Sequence, residues 1–282
     1  MTEDKGKQFS FKKTIGQVDR QLKLTDRFSP VSASTIDSPH HNPTNLSAKS
    51  IRVLSWNINK NNHRTDWIAD FKTIVEQHKP DKIFLQEVQL CAESEDLPVF
   101  AQMGWSFAPN FIDKLKNRYS GVLIATKDNH LNAKAVITEH SEPITKTPKV
   151  SLFAEYSLES SQENLLAINT HLINFVDSSK FQSQLSEIEA VISQHSGKII
   201  LSGDFNTWNS VRWTMLSQMA SRLGLRAVSF SSEDTDKIKS FLLSPPLDYI
   251  FYRGLYQKPL SAKVIDNFSS SDHNPLFVEF CE

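Results

Sequence analysis

The chain has 282 residues, 39% of them hydrophobic and 22% charged, enough to bury one large α/β core or two small ones. A formal net charge of −1 excludes a global field that would draw it to nucleic acid or to an anionic membrane. Two cysteines, Cys91 and Cys281, exclude a disulfide framework, suit no zinc site and fit a reducing compartment.

Residues 1–49 carry Ser29-Pro30, Ser38-Pro39-His40-His41-Asn42-Pro43 and few apolar residues, with eight basic side chains against five acidic. They read as a flexible N-terminal arm in which His40 and His41 are loop residues rather than ligands. The first residues lack the apolar core of a signal peptide, and no apolar run reaches the length of a membrane span. A cytoplasmic, monomeric protein with no membrane insertion is expected, its folded domain covering residues 50–282.

From Ile51 the pattern changes. Residues 51–57 alternate as a strand, Trp67, Phe71, Ile74 and Val75 fall at helical spacing, and Lys79-Pro80 ends that helix. Residues 82–87 form the next strand, and further strands are predicted at 121–126, 133–138, 149–158 and 164–170. Phe181, Leu185, Ile188 and Ile192 mark a second helix, with Gly197 expected to close it. A strand at 198–204, a helix at 210–222 and strands near 226–230, 247–252, 261–266 and 276–280 complete the chain. Strands outnumber helices and several are joined by short turns, so two packed, mixed β-sheets flanked by helices are expected rather than a parallel Rossmann sheet. No Gly-rich phosphate loop, zinc-binding H-E-x-x-H or nucleophile-elbow serine is present.

Polar residues finish these strands. Asn57 and Asn59 follow the first, Glu87 the second, His171 another, and Asp204 with Asn206 the next. Asp248 opens a later strand, and Asp272 with His273 precedes the last. Each alone is an ordinary turn residue. Six strand ends bearing a carboxylate, amide or histidine make a pattern, and residues two apart on an extended chain share a face. Hard oxygen donors such as Glu87, with Asn57, Asn59 or Asp272, suit Mg²⁺ or Mn²⁺. Asp204 can accept a proton from water, His273 oriented by Asp248 can donate to phosphoryl oxygens, and Asn57, His171 and Asn206 can cradle them. The coherent product is metal-assisted hydrolysis of a phosphate ester.

The ordered pieces Ser55-Trp56-Asn57-Ile58-Asn59, Leu85-Gln86-Glu87, Asn169-Thr170-His171-Leu172, Gly203-Asp204-Phe205-Asn206, Leu247-Asp248-Tyr249-Ile250-Phe251 and Ser271-Asp272-His273-Asn274-Pro275 resemble the endonuclease/exonuclease/phosphatase superfamily. Asn174-Phe175, His195-Ser196-Gly197 and Phe251-Tyr252-Arg253-Gly254-Leu255 are similar to its bacterial YafD-like branch. The resemblance spans roughly residues 51–281 and implies the DNase I-like fold, a four-layered α/β sandwich. It implies Glu87 as principal metal ligand, Asn57 and Asp272 beside the metal, and Asp204 as general base fixed by Asn206. It also implies that His273 contacts the phosphoryl group and pairs with Asp248. His171 matches the DNase-like and sphingomyelinase-like branches, whereas the apurinic endonuclease branch has tyrosine there. Asn59 departs from that branch's aspartate, so fewer charges would hold the ion.

Substrate is the least legible property. Lys114, Lys116 and Arg118, or Arg212, Arg222 and Arg226, can steer a phosphodiester backbone or simply be solvated. Trp208 and Trp213 can stack a base, though core packing is the plainer expectation. A nucleic-acid phosphodiesterase is the expected function. The alternatives are a lipid or small-molecule phosphoesterase and an inactive phosphate-binding module; the intact set Glu87, Asp204, Asp248 and His273 weighs against the last.

Overall fold

The computed structural model describes residues 27–44, 46–94, 97–100, 102–159 and 163–282. The first strands are β1 (Phe28–Pro30), β2 (Ile36–Ser38), β3 (Leu46–Ser47) and β4 (Ile51–Asn57). Helix α1 (Thr65–His78) leads to β5 (Lys82–Cys91), β6 (Gly104–Asp113), β7 (Arg118–Thr126), β8 (Asn132–Ser141), β9 (Pro148–Tyr156), β10 (Leu158–Glu159) and β11 (Leu165–His171). Helix α2 (Ser178–Ile192), β12 (Lys198–Asp204), α3 (Ser210–Arg222), β13 (Arg226–Ala227) and α4 (Ser232–Lys237) follow. The chain ends with β14 (Asp248–Arg253), β15 (Tyr256–Gln257), β16 (Lys263–Val264) and β17 (Leu276–Cys281).

One large sheet runs β1-β6-β7-β5-β4-β17-β15, with β2 also on β6 and β16 on β17; the other large sheet runs β13-β14-β12-β11-β9-β8, and β3 and β10 form a separate parallel pair. Parallel pairs β4–β5 and β11–β12 sit inside otherwise antiparallel sheets, so both are mixed. Alternation sorts their side chains into layers. Val53, Phe84, Ile124, Leu152, Ala167, Ile200 and Ile250 pack between the sheets. Leu54, Trp56, Ile83 and Leu85 meet Trp67, Phe71 and Ile74 of α1 on one outer face. Ile168, Ile199, Leu201 and Phe251 meet α2 and α3 on the other. The result is helix, sheet, sheet, helices: the expected four layers.

Local chemistry starts and stops the helices. Asp177 caps α2 through the amides of Ser179 and Lys180, and Asn209 caps α3 through that of Arg212. Helix α1 ends as expected, with Lys79 in the left-handed conformation just before Pro80. Gly197 does not close α2, which stops at Ile192 under a right-handed Ser193. A Cβ on Gly197 would instead meet the Asn164 carbonyl at 2.6 Å.

Buried amides tie the sheets together. Gln86 Nε2 donates to Asn169 Oδ1 at 2.7 Å, and Asn169 Nδ2 donates to the Leu85 and Leu123 carbonyls at 2.9 and 2.7 Å. Buried hydrogen bonds of this kind help fix the register between the layers.

Two expectations about organisation change. Residues 1–26 of the predicted arm lie outside the described residues. From residue 28 the chain already belongs to the sheet, because β1 and β2 pair with β6 and Arg27 forms a bidentate ion pair with Asp113. Pro30 is tolerated because β1 is an edge strand, where a missing N–H costs little. Strand β6 was not predicted, since Pro109 interrupts its pattern. Pro109 sits in register opposite Gly121, where a Cβ would lie 2.0 Å from the Ala108 carbonyl, and a bulge at Asn110 follows before Phe111.

Candidate active site

The inner-face alternation that builds the core also delivers the site. Asn57 continues the inward row of Val53 and Ser55; His171 that of Ala167 and Asn169; Asp204 that of Ile200 and Ser202; and Asp248 leads Ile250. His171 pairs in register with Asp204, and Asp204 with Asp248, so three neighbouring strands present polar side chains at one end of the sandwich. Asn57 reaches across from the other sheet to the same point, its Nδ2 donating to Asp204 Oδ2 at 2.9 Å.

A cleft of about 430 Å³ opens there, lined by Asn57, Asn59, Glu87, His171, Asp204, Asn206, Asp272 and His273. Asp248 sits behind it and accepts from His273 Nδ1 at 2.7 Å. The sequence-predicted residues therefore converge in one place. Two do so by a different route from the expected extension. Asn59 and Asn206 adopt left-handed backbone, and each donates its amide back, to Asn57 Oδ1 and Asp204 Oδ1 at 3.0 Å. Asn206 Nδ2 also donates to the Leu172 carbonyl at 2.8 Å, so it braces Asp204 and the following turn. Gly203 is required just before, with φ at 155° and a hypothetical Cβ only 1.9 Å from the Thr170 carbonyl.

Glu87 does not end its strand. A bulge between Leu85 and Val88 puts it at φ 57°, an uncommon conformation for glutamate that turns the side chain into the cleft while β5 runs on to Cys91. Its carboxylate is ion-paired with Lys60. Burial opposes the charge, but Lys60, His171 and Lys149 outweigh it and hold Glu87 far below the usual carboxylate range.

The electrostatics separate the roles of the other groups. Burial, then Lys149, pushes His171 down to about 4, leaving it neutral at pH 7. Its Nε2, 3.3 Å from Lys149 Nζ and 3.6 Å from Asp204 Oδ2, makes polar contacts there rather than an ion pair. Burial also works against charge on His273, yet Asp248 raises it to about 9 and keeps it imidazolium. Asp204 is raised chiefly by burial, with a smaller push from Asp248, which makes it a stronger base than an exposed carboxylate. His273 Nε2 lies 4.0 Å from Asp204 Oδ2. The His273 carbonyl accepts from Trp56 Nε1 at 2.7 Å, and Ser271 donates to the Asn57 carbonyl, so the last loop is pinned to β4.

Sequence reading missed Lys60 and Lys149, and nothing in strand periodicity marks a lysine whose head arrives from a turn or a strand end. Among the basic residues it did mark, Lys116 lines the cleft. Arg212 does not: it is buried, donating to the carbonyls of Ile173, Asn206 and Val176. Arg222 is paired with Glu189, and Arg226 lies over the Tyr252 ring. Trp213 stacks on Tyr249, and Trp208 donates to Asn174 Oδ1, so both are packing residues.

A metal ion has two groups of donors to choose from. Asp204, Asp248 and His273 offer ligand atoms within 4.8 Å of one another, and Asp248 Oδ1 is buried without a partner. The Asp248–His273 hydrogen bond, however, already occupies one nitrogen and one oxygen of that group. Glu87 offers a fully charged carboxylate whose partner is the Lys60 ammonium, with the hard oxygens of Asn57 and Asp272 lining the same cleft. A site where a cation already balances a half-buried carboxylate fits a divalent ion.

A two-sheet sandwich with carboxylates, imidazoles and amides gathered at one end has the groups to bind a phosphate ester and move a proton beside it. Residues 54–273 match the model of the Endonuclease/Exonuclease/phosphatase family, and the chain belongs to that family. It is 36% identical over 233 residues to a UPF0294 protein of Vibrio parahaemolyticus, covering 82% of this chain and 77% of that one. Such relatives are YafD-like proteins. Among solved structures it is similar to the human nocturnin catalytic domain with bound sulfate anion. That likeness has 18% identity and a TM-score of 0.61, covering 88% of this chain and 97% of the other. It is similar also to D. rerio TDP2 complexed with single strand DNA product, at 14% identity and a TM-score of 0.55, covering 83% and 99%. The fold is the DNase I-like sandwich.

Proposed function

We propose that this protein is a divalent-metal-dependent phosphodiesterase that hydrolyses nucleic acid by water attack on phosphorus. The observation that carries the reading is the convergence of Asp204, the His273–Asp248 pair, His171, Asn57, Asn206 and Glu87 on one cleft. Asp204, braced through both oxygens by Asn57 Nδ2 and the Asn206 amide, takes the proton of the attacking water. The His273 imidazolium, held through Nδ1 by Asp248, directs Nε2 at a phosphoryl oxygen and neutralises the charge it gains. Neutral His171 and Asn57 add polar contacts to the same group. Glu87, with Asn57, Asn59 and Asp272 nearby, would hold a Mg²⁺ or Mn²⁺ ion, which when bound would supply Lewis-acid stabilisation of the leaving oxygen.

Nucleic acid is supported by the company the site keeps. Phe28, Phe111, Phe175 and Phe241 line the cleft beside Arg27, Lys116, Lys149 and Lys239. Aromatic faces interleaved with cations suit stacked bases on an anionic backbone. A structure in the same fold, that of D. rerio TDP2, holds a single-stranded DNA product. One observation favours a second reading. Leu242 and Leu243 are 94% and 98% exposed on the loop that brings Lys239 and Phe241 to the cleft, which suits an amphiphilic phosphoester. Free Cys91 and Cys281 support a cytoplasmic enzyme, and we read it as a monomer. No described helix is long and apolar enough to cross a membrane.

The test is a panel of single- and double-stranded DNA, RNA, abasic DNA, sphingomyelin and inositol phosphates with Mg²⁺ or Mn²⁺. Turnover of a nucleic acid that Glu87→Ala and His273→Ala abolish is the expected result. Turnover confined to the lipid would replace the substrate, and no turnover at all would remove the hydrolase reading.

A further inference from the structure

Beside the cleft lies a second cavity of about 320 Å³, in the size range of small-molecule sites. Its wall is apolar, built from Ile68, Leu97, Pro98 and Val99, and its polar lining includes Lys72, Arg118, His63 and Gln89. Gln89 lines both cavities, so the two adjoin at that residue. The β5 bulge makes this possible: by adding a residue at Glu87 it turns both Glu87 and Gln89 toward the site side, while Val88 and Leu90 pack under α1.

Three features point to a ligand there. Lys72 and Arg118 form no ion pair among the described residues, whereas Arg27, Arg52, Arg64 and Arg222 each hold a carboxylate. Burial, then the charges of Arg118, Lys116 and Arg64, lowers His63. Gln89 is 4% exposed, and its Oε1 is buried with no hydrogen-bond partner. Asn62 clamps the Gln89 backbone, accepting from its amide at 2.9 Å and donating to its carbonyl at 2.7 Å, so the backbone there is held in place. A buried acceptor left without a partner is costly and calls for a donor.

The occupant must therefore combine an anionic group for the cations, a flat apolar surface for the wall and an N–H for Gln89. A nucleotide has all three. An acyl chain has neither the charge nor the donor.

We propose that this side cleft binds the nucleotide adjoining the scissile phosphodiester of a single-stranded nucleic acid, with Lys72 and Arg118 on its phosphate and Gln89 Oε1 accepting from its base. The assignment rests on the nucleic-acid reading of the catalytic cleft and extends it to a strand longer than one linkage. Single-stranded substrate follows because a base can offer its edge to Gln89 only when unpaired.

The experiment is fluorescence anisotropy of labelled single-stranded DNA and RNA 12-mers with the full chain in EDTA, where hydrolysis does not intervene. Wild type should bind, and Lys72→Ala/Arg118→Ala should weaken binding at least about tenfold and flatten the plot of log K against log salt by about 1.4, at roughly 0.7 per lost phosphate contact. Gln89→Leu should weaken binding with the salt slope unchanged, a signature that misfolding would not give. No oligonucleotide binding by wild type, binding to anionic vesicles instead, or a double variant matching wild type would overturn the proposal. Hydrolysis of bis(4-nitrophenyl) phosphate with Mg²⁺, a substrate too short to reach the side cleft, reports separately on the catalytic reading. Oligonucleotide binding without that turnover would sink the hydrolase reading and keep the cleft.

Discussion

His273 donates through Nδ1 to Asp248 Oδ2 over 2.7 Å, and both side chains are buried at the back of the cleft. The pair sets the charge of the imidazole. Its raised value, about 9 against an ordinary 6.5, means that the metal-free protein gains stability from this pair in full below pH 6.5. That gain is lost as pH rises through 9, and is on the order of 2–3 kcal/mol. Urea unfolding at pH 6 and pH 9.5 should show the difference, and Asp248→Asn should flatten it. The same variant should lower kcat by about 10²-fold or more, since His273 becomes neutral in the working range. An unchanged pH dependence in Asp248→Asn would break the link between the two residues.

Lys60 is ion-paired with the Glu87 carboxylate, which under the proposed reading a divalent ion would have to win from it. Mg²⁺ at about a hundred times its Kd should stabilise the protein by about 2.7 kcal/mol, read as a rise in Tm. Glu87→Gln should lose that rise. Lys60→Met should lower the Mg²⁺ Kd in calorimetric titration, because no ammonium then has to be displaced. A Mg²⁺-dependent rise that survives in Glu87→Gln would place the ion elsewhere, at Asp204 and Asp248.

Arg212 is a structural residue. Its guanidinium crosses beneath the cleft to three backbone carbonyls, and it packs between the Phe181 and Trp208 rings. Arg212→Met should cost about 2–4 kcal/mol in denaturant unfolding, through three unpaired acceptors. KM for a phosphodiester should stay within about twofold at temperatures where the variant is folded. A large KM effect without loss of stability would return Arg212 to the substrate.

Gly203 precedes Asp204 in a conformation other residues rarely adopt, with Thr170 against it. Gly203→Ala should destabilise by about 3 kcal/mol or more by forcing β11 and β12 apart. Thermal melting measures it. A variant as stable as wild type would mean that the β11–β12 contact is looser than the 1.9 Å clearance implies.

Much of this site was legible because the strand period of two carries the inner-face pattern to the strand ends. Asn57, His171, Asp204 and Asp248 each end or begin a run whose apolar members are core. Asn59, Glu87 and Asn206 were found for a weaker reason, since left-handed turns and a bulge, not extension, bring them in. A bulge leaves no periodic trace, so Gln89 beyond it went unread. Strand β6 was hidden by Pro109, and β1 to β3 by shortness and serine- and proline-rich composition, which local propensity reads as loop. Arg212 and Arg222 had the composition of a basic patch. Only the tertiary fold separates an arginine that holds carbonyls from one that waits for phosphate.

The most direct measurement is single-turnover hydrolysis of a single-stranded oligonucleotide with Mg²⁺ by wild type and by Asp204→Asn. Asparagine keeps the shape of the side chain and removes its capacity to take a proton. Cleavage by wild type with a rate loss of about 10²–10⁴-fold in Asp204→Asn is the expected outcome. Cleavage at comparable rates by the two proteins would contradict the assignment of Asp204 as the base around which Asn57, His171, Asn206 and His273 are arranged.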